Sequence, residues 1–246
     1  TPCQSSAASD VYKRQASRSS ADIVVINNRF FYQDGILHFK INSSQFLSFD
    51  FLEGNFFHRL QKVEQEILIK KAIGKHSNAL KIFDATGGSL VDTFIFLRLG
   101  HEVVACEQSK ILFMLVKDAV ERAKKEYDFL EKLTFLNANS ADVINRFSES
   151  DIFYFDPMFA GTKKKLKRSG VLQKITKVLE IEKLGDTSSC VFSDLRKKNY
   201  KKIIVKRPIK SEPLHHQINY QVKGKSVRYD VSVSYTHLTL PTIDRV

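Results

Sequence analysis

Hydrophobic and polar residues follow two different patterns along this chain, and the change falls near residue 75. Over residues 23–51, apolar and aromatic positions alternate with polar ones on both sides of an Asp34-Gly35 turn, which predicts a β-hairpin. Over residues 60–73, apolar residues recur at helical spacing, and Gly74 is a natural helix end. We therefore predict a small β-rich N-terminal subdomain with a connecting helix over residues 23–74.

From residue 75 onward, short apolar runs alternate with amphipathic stretches. The apolar runs predict strands near residues 81–84, 102–106, 133–136, 151–155, 189–192 and 202–205. The amphipathic stretches predict helices near residues 89–99, 109–126, 140–147 and 170–184. A last hairpin is predicted over Lys223-Gly224-Lys225. This alternation is typical of an α/β fold, and we predict a Rossmann-like, doubly wound sheet over residues 75–233.

Neither end of the chain shares these patterns. Residues 1–15 show no amphipathic period, residues from about Ser234 onward break off after the last predicted strand, and both ends resemble translated sequencing-adapter read-through. Segments of this kind are set aside in reasoning about the fold. We therefore expect residues 1–22 to be a non-native tail and linker, and residues 234–246 to be a second non-native tail.

Composition narrows the class of protein. A chain of 246 residues with 43% hydrophobic residues can build a core, which excludes an intrinsically disordered protein. No apolar run approaches the ~20 residues that cross a bilayer, so we expect no membrane partner. The cysteines, Cys3, Cys106 and Cys190, are spaced for neither a zinc site nor a disulfide framework. We expect no metal and a reducing, cytoplasmic location.

Polar and glycine residues end three of the predicted strands. A Gly87-Gly88 turn follows the first strand, Glu107 ends the second, and Asp156-Pro157 ends the fourth. The carboxyl ends of parallel strands meet at one edge of a sheet, where nucleotide-like cofactors bind. The turn residues are expected to be glycine because a side chain would block close approach of a cofactor. An acidic residue at the end of the second strand can accept hydrogen bonds from both ribose hydroxyls.

The chain is strongly basic, with a formal net charge of +12 and a pI of about 9.5. This balance indicates a polyanionic partner, most simply nucleic acid, because each neutralised phosphate releases counterions. A soluble enzyme with a basic surface would carry the same charge, so charge alone does not separate the two. The densest basic run lies directly behind Asp156-Pro157 and is expected to contact substrate phosphates through Lys163, Lys164, Lys165, Lys167 and Arg168.

Four separated motifs occur in the order in which a known family carries them. They are Asp84-Ala85-Thr86-Gly87-Gly88, Glu107, Asp156-Pro157-Met158-Phe159 and Val205-Lys206-Arg207-Pro208, with Asp50-Phe51 and His58-Arg59 upstream. On these motifs, residues 23–231 resemble the ribosomal small-subunit RNA methyltransferase J family. The resemblance implies a class I, S-adenosyl-L-methionine (SAM)-dependent enzyme that methylates the N2 amine of a guanine in 16S rRNA. Its implied partner is small-subunit rRNA or the 30S subunit.

The resemblance also implies roles for individual residues in holding SAM. The glycine turn, with Val91 and Asp92, would hold the methionine part, and Glu107 with Gln108 would hold the ribose and flank the adenine. Polar residues after the third strand would lie along the adenine, although a helix cap explains them equally. The complete cofactor-binding set is Asp84, Gly87, Gly88, Val91, Asp92, Glu107, Gln108, Asn139, Ser140 and Asp156.

The implied catalytic residues are Asp156, Pro157 and Phe159. A guanine amine is a poor nucleophile because its lone pair is delocalised into the ring, and a carboxylate that accepts its N–H bond localises that lone pair. Asp156 would supply this acceptor, and Phe159 would stack on the base. A base inside a paired RNA has to be flipped out first. Lys206 and Arg207 would join the basic run in binding RNA.

One motif departs from the family pattern. The family reads Gly-Leu-Gly-Arg-Asp after the first turn, whereas this chain has Gly88-Ser89-Leu90-Val91-Asp92. Two other functions are compatible with the same motifs. One is a DNA adenine or cytosine amino-methyltransferase, and the other is a non-catalytic RNA-binding ribosome-assembly protein with this fold. The sequence leaves the modified nucleotide and the oligomeric state open.

Overall fold

The computed structural model describes residues 24–157, 170–185, 188–198 and 200–234. Several of the predictions above concern residues outside these ranges. They are the two tails apart from Ser234, the base-stacking Phe159 and the basic run over residues 163–168. Within the described residues, no helix is both long enough and apolar enough to cross a membrane.

The N-terminal residues form a small antiparallel sheet, which confirms the predicted hairpin. Its four strands follow in chain order, and they are β1 (Val24–Val25), β2 (Phe30–Gln33), β3 (Ile36–Asn42) and β4 (Gln45–Leu47). Asp34 and Gly35 join β2 to β3 with φ angles of 52° and 74°, the left-handed conformation of a two-residue hairpin turn. Leu37, Phe39 and Leu47 are buried and join this sheet to the main core.

The single helix predicted over residues 60–73 is wrong, because two short helices replace it. They are α1 (Gly54–Gln61) and α2 (Ile67–Ile73), separated by a 3₁₀ turn (Val63–Gln65). Leu60 and Val63 are buried, Ile67 is 56% exposed, and the next buried residues are Ile69, Ala72 and Ile73. At about 100° per residue, this second group would lie on the opposite side of a continuous helix from Leu60. The chain therefore bends so that both groups are buried.

Seven strands form the main sheet, in the order β10-β11-β9-β8-β5-β6-β7. They are β5 (Lys81–Asp84), β6 (Glu102–Glu107), β7 (Leu133–Asn137), β8 (Ile152–Phe155), β9 (Lys202–Pro208), β10 (Tyr220–Lys223) and β11 (Val227–Val233). Strands β5 to β9 are parallel, and the predicted hairpin of β10 and β11 adds an antiparallel edge. The chain builds β5, β6 and β7 outward and then returns to place β8 on the other side of β5. Open α/β sheets bind ligands at such a reversal.

Helices cover both faces of this sheet, which confirms the doubly wound prediction. They are α3 (Val91–Arg98), α4 (Lys110–Ala123), α5 (Ser140–Val143), α6 (Gly170–Ile181) and α7 (Ser188–Arg196). Successive residues of β5 point to opposite faces, so Ile82 packs in one apolar cluster and Phe83 in the other. The larger cluster joins the sheet to α3, α4 and α6, and the smaller one joins it to α5 and α7.

The strand predicted over residues 189–192 is wrong, because this segment lies in helix α7. Its buried residues are Val191, Phe192 and Leu195, which share one helical face. A short apolar run is compatible with a buried helix as well as with a strand, and its tertiary contacts decide between them. Strand β9 also extends beyond the predicted residue 205 to Pro208, because β11 pairs with it along this whole length.

Candidate functional site

The loop between β5 and α3 contains two glycines that serve different purposes. The Gly87 N–H donates to the carbonyl of Cys106 at 2.8 Å, and a Cβ on Gly87 would lie 3.1 Å from that same oxygen. Gly87 therefore lets the loop pack on β6, which corrects the expectation that a cofactor alone requires this glycine. Gly88 has φ of +53°, and a Cβ there would meet only the Thr86 carbonyl, at 3.7 Å. Gly88 is thus the glycine with open space beside it.

Leu90 is one of the three residues, with Ser89 and Val91, at which this chain departs from the family pattern. Its φ is 57°, a left-handed conformation that glycine adopts more readily than leucine. Its side chain is fully buried in the larger apolar cluster. Burial of the leucine side chain offsets the backbone strain, so the loop keeps its turn without the family's second glycine.

Glu107 ends β6 and binds the backbone on both sides of the site. The Gly88 N–H donates to its Oε2 at 3.0 Å, and the Ser109 N–H donates to its Oε1 at 2.7 Å. Burial raises the pKa of Glu107 to about 7, although these two N–H groups act in the opposite direction. A carboxylate has about four acceptor positions, so two remain for the hydroxyls of a ribose.

Asp84 lies beneath the glycine loop and supports it. Its Oδ1 accepts the Thr86 N–H at 3.0 Å, and its Oδ2 accepts the Thr93 hydroxyl at 2.5 Å. Burial raises the pKa of this carboxyl to about 7. Because both oxygens are engaged by its own loop and helix, we assign Asp84 to shaping the loop, whereas the sequence had suggested direct contact with the cofactor.

Asp92, Asp156 and Lys206 form a charge cluster that the sequence analysis missed. The Lys206 Nζ lies 2.6 Å from Asp92 Oδ2 and 2.8 Å from Asp156 Oδ2. The Tyr154 hydroxyl also donates to Asp92 Oδ2, at 2.5 Å. Phe155 pairs with Val205 between β8 and β9, so the next residue on each strand, Asp156 and Lys206, stand side by side. Because 49 residues lie between Asp156 and Lys206 in the sequence, only the pairing register of β8 and β9 could have revealed the cluster.

Opposite charges decide the ionisation of this cluster. Burial disfavours the charged form of Asp92, but Lys206 and the Tyr154 hydroxyl hold its pKa below the ordinary value. Burial likewise disfavours the charged form of Lys206, and the two carboxylates nevertheless raise its pKa above the ordinary value. Burial raises the pKa of Asp156 above the ordinary value, although Lys206 acts in the opposite direction. The cluster is therefore one ammonium between two carboxylates, of which Asp156 is the more easily protonated.

The expected roles of Lys206 and Arg207 in binding RNA need correction. Lys206 is only 21% exposed, and its ammonium is already paired with Asp92 and Asp156. Arg207 is buried, and its Nη2 donates to the carbonyl of Glu212 at 2.5 Å. Both side chains are engaged inside the protein, so neither presents its charge on an open face for a phosphate.

Asp156 lies at the end of β8, beside the glycine loop. Its N–H donates to the Thr86 hydroxyl at 2.7 Å, and the Ala85 N–H donates to the Tyr154 carbonyl at 3.0 Å. These two bonds tie the end of β8 to the β5 loop. The Asp156 side chain is 35% exposed, and Pro157 is buried immediately behind it. A partly exposed carboxylate is thus held on a rigid backbone.

The polar residues after β7 act first as structural supports. Asn139 caps α5, because its Oδ1 accepts the Ala141 N–H at 3.1 Å. The helix cap considered for this polar run is therefore made by Asn139, whereas Ser140 is the first residue of the helix and is buried. Asn137 donates to the Glu107 carbonyl at 2.8 Å and joins β7 to β6. Gln108 is half-buried at the same edge.

The residues at this edge fit SAM by their chemistry. Glu107 retains acceptor positions for a ribose, and the loop beside it carries Gly88 with open space. Asp92 Oδ1 is buried and accepts no hydrogen bond within the described residues, with the Arg59 Nη2 at 3.7 Å. An unsatisfied carboxylate oxygen suits the ammonium of the methionine part. Among the described residues, no group of three or more His, Cys, Asp or Glu side chains could hold a metal ion.

Comparison with known proteins also indicates a SAM-dependent enzyme. The family described as "Putative SAM-dependent methyltransferase" matches residues 26–234. The protein named ribosomal RNA small subunit methyltransferase J from Bdellovibrio bacteriovorus is 33% identical over 174 residues, which cover 68% of this chain and 65% of that protein. Its namesake from Francisella tularensis subsp. novicida is 30% identical over 201 residues, covering 79% of this chain and 82% of the relative.

A solved structure supports the fold. The crystal structure of a SAM-dependent methyltransferase from Neisseria gonorrhoeae superposes with a TM-score of 0.65 at 22% identity and covers 86% of each chain. At this identity the likeness concerns the fold alone, and the fold is that of a class I methyltransferase. The family match extends over most of the chain and includes the strand ends that form the site. The chain therefore belongs to the family of SAM-dependent methyltransferases that includes the proteins named ribosomal RNA small subunit methyltransferase J.

Proposed function

We propose that this enzyme methylates the exocyclic N2 amine of a guanine in small-subunit ribosomal RNA. The substrate class is supported by the names of the relatives and by the formal charge of +12, which suits a polyanion. The choice of a guanine amine rests on the Asp156-Pro157 strand end and on the family resemblance. We place the reaction in the cytoplasm, on free rRNA or on the 30S subunit.

The observation that carries the proposal is the position of Asp156. Its carboxylate is partly exposed at the sheet edge, and its backbone is tied to the loop that contains Gly87 and Gly88. Glu107 reaches the same loop through Gly88, so the ribose acceptor and Asp156 are linked by one short segment of chain. A base bound against Asp156 would lie beside the cofactor.

Asp156 can do the work that an amine acceptor needs. When bound, SAM supplies a methyl group on a sulfonium centre. In the transfer, the guanine nitrogen would form a bond to the methyl carbon as the carbon–sulfur bond breaks and a neutral thioether leaves. The proton that the amine loses would pass to the Asp156 carboxylate and on to water. For this, the lone pair of the amine has to be available in the line of transfer. Lys206 is bound to Asp156 Oδ2, so we assign Oδ1 as the atom that accepts the amine N–H. The buried Pro157 restricts the backbone behind it, and alignment of the two reacting groups is the main contribution of the protein.

Phe159 and the basic run complete the proposal from outside the described residues. We propose that Phe159 stacks on the target base, a contact worth about 1–3 kcal/mol. Lys163, Lys164, Lys165, Lys167 and Arg168 follow within a few residues and would bind the flanking phosphates. Together they would hold an unpaired or flipped-out guanine against Asp156.

The test is to map methylated guanines after incubating the protein and SAM with small-subunit rRNA, 30S subunits or duplex DNA. Mass spectrometry should find an N2-methylguanine in the RNA and no methylated base in the DNA. Asp156→Ala should lower turnover by at least about 10²-fold, by analogy with the loss of one preorganised polar contact. Asp156→Asn retains a hydrogen-bond acceptor without the charge, so its turnover should lie between those of the wild type and Asp156→Ala.

Asp128→Ala removes an exposed carboxylate that precedes the start of β7, at the opposite edge of the sheet from the site, and is the matched control. Circular dichroism should show that all variants are folded. Methylation of DNA but not of rRNA would contradict the proposed substrate. A folded Asp156→Ala protein with wild-type turnover would remove Asp156 from the reaction.

A further inference from the structure

Lys206 links the residue expected to hold the methionine part of the cofactor, Asp92, to the residue proposed to bind the target amine, Asp156. It belongs to β9, and its ammonium pairs with Asp92 from α3 and with Asp156 at the end of β8. Asp92 is only 7% exposed and Lys206 only 21%, so water screens this contact much less than a surface ion pair. The ion pair therefore acts on the charge and the orientation of Asp156, which is the residue proposed to bind the target amine.

We propose that Lys206 is a positioning residue that acts through Asp156, by holding its carboxylate charged and in place for the target amine. This inference rests on the proposed function of Asp156. Lys206 itself contacts neither the substrate nor the reacting atoms in this proposal. Its role would be lost by removing the ammonium and kept by another cation of similar reach.

The charges around Asp156 explain why a cation is needed there. Asp92 contributes a second carboxylate, held through the same ammonium. Tyr154 on β8 donates to Asp92, Tyr229 on β11 pairs with Lys206 in the sheet, and Arg59 on α1 lies 3.7 Å from Asp92. Without Lys206, Asp92 and Asp156 would face each other with the buried Asp84 nearby. Among the described residues, the more distant Arg59 would then be the one remaining cation beside them. Like charges at short range raise the pKa of one partner, and Asp156 would then be the one to gain a proton.

A purely structural role for Lys206 is the competing explanation, and the chain contains a matched control for it. Lys201 precedes β9 and pairs with Asp151, which precedes β8, at 2.6 Å. This pair joins the same two strands at their opposite ends, where Lys201 is 66% exposed. If ion pairs between these strands served only to hold them together, loss of either pair would have comparable effects on activity.

The experiment compares Lys206→Met, Lys206→Arg and Lys201→Met with the wild type at saturating SAM and rRNA. Lys206→Met should lower kcat about 10-fold or more near neutral pH with little change in the KM for rRNA. Its acid limb in the pH profile of kcat should move upward by about 1–3 pH units, the usual effect of one close opposite charge. Lys206→Arg should restore the limb, and Lys201→Met should resemble the wild type.

Two further measurements show whether Lys206 acts through Asp156. In an Asp156→Asn background, Lys206→Met should cause little additional loss of kcat, because the group it serves is already gone. Carboxyl ¹³C NMR of the cofactor-free protein should show the Asp156 resonance titrating at higher pH in Lys206→Met than in the wild type. Asp156→Asn assigns this resonance.

The outcomes separate this inference from the proposed function. If the Asp156 resonance moves but no guanine is methylated, the proposed function fails and the ion pair stands as described. If rRNA is methylated but Lys206→Met leaves the acid limb and the NMR titration unchanged, the inference is overturned. Equal losses in Lys206→Met and Lys201→Met would also overturn it. Should Lys206→Met fail to fold, the Lys206→Met/Asp92→Asn double variant is compared with Asp92→Asn alone, and an Asp156 resonance that titrates at the same pH in both would overturn the inference.

Discussion

At the scale of single residues, the site is a set of carboxylates whose hydrogen-bond donors come from different parts of the chain. Glu107 is bound by the backbone of Gly88 and Ser109, while Asp84 is bound by Thr86 and Thr93. The two carboxylates differ in the acceptor positions that they leave for a ligand. Glu107 lies at the edge with acceptor positions left, whereas both oxygens of Asp84 face its own loop. Residue type and burial alone would not separate these two roles.

We predict that Glu107→Gln weakens SAM binding by about 1–3 kcal/mol, because charge-assisted hydrogen bonds become neutral ones. The pKa of about 7 adds a pH dependence: wild-type affinity should rise as the pH increases through 7, when the carboxyl becomes charged. Glu107→Gln should lose that dependence. Calorimetry between pH 6 and 8 measures both effects.

Glu102→Gln, at the exposed start of the same strand, is the control for the Glu107 variant. It should bind SAM like the wild type. Equal affinities of the Glu107→Gln and Glu102→Gln proteins across this pH range would take Glu107 out of the cofactor site.

We predict that Asp84 makes the protein less stable as the pH rises from about 4 to 7. Its pKa in the folded state, about 7, lies above the ordinary value of 3.8, so the folded state retains a proton that the unfolded state loses. Stability from this group is fully present below the unfolded pKa and is lost as the pH rises through the folded one. Asp84→Asn should flatten part of this decline in urea unfolding curves, while the exposed Asp128→Asn should not.

At the scale of elements, the loop from β5 to α3 takes its shape from three residues with different roles. Gly87 packs against β6, Gly88 takes a left-handed φ, and Leu90 takes another with its side chain in the core. The loop is held from two sides, by Cys106 on β6 and by Asp156 after β8. Its shape thus depends on both neighbours of β5 in the sheet.

We predict that Gly87→Ala destabilises the protein by about 1–3 kcal/mol and weakens SAM binding as well. The added Cβ would lie 3.1 Å from the Cys106 carbonyl and 3.1 Å from Leu90 Cδ2, so the loop would have to move away from β6. Thermal unfolding and calorimetry measure the two effects. Gly185→Ala is the control, because a Cβ there meets nothing within 4 Å. A Gly87→Ala protein indistinguishable from Gly185→Ala would contradict this account of the loop.

At the scale of the whole molecule, the sheet reverses its direction of growth between β5 and β8 and brings the strand ends together. Three of the groups involved, Asp84, Glu107 and Asp156, end neighbouring strands. The positive charge is spread more widely. Lys70, Lys71 and Lys75 line an open groove of about 690 Å³ with Gly74, just before β5 and thus at the opposite edge of the sheet from the site.

We predict that RNA affinity falls steeply with salt and that the basic run over residues 163–168 carries much of this dependence. Replacing Lys163, Lys164 and Lys165 by Gln should reduce the slope of log Kd against log salt by about one unit per lost phosphate contact. Replacing Lys70, Lys71 and Lys75 by Gln changes the net charge equally in a groove away from the candidate site and is the control. Equal slopes for the two triple variants would mean that overall charge, and not this run, binds the RNA.

Hydrophobic periodicity alone determined most of the architecture, because a strand buried on both faces and an amphipathic helix each need a particular order of apolar residues. The parallel strands and the two hairpins follow from that order, and the carboxylates of the site stand at the ends of the strands that it predicts. Tertiary contacts decided the rest. The run over residues 189–192 is a helix because Leu195 completes its buried face, and residues 60–73 bend to bury groups on opposite sides. The pairing of Lys206 with Asp92 and Asp156 depends on which strands become neighbours and in which register, and no local pattern encodes that choice.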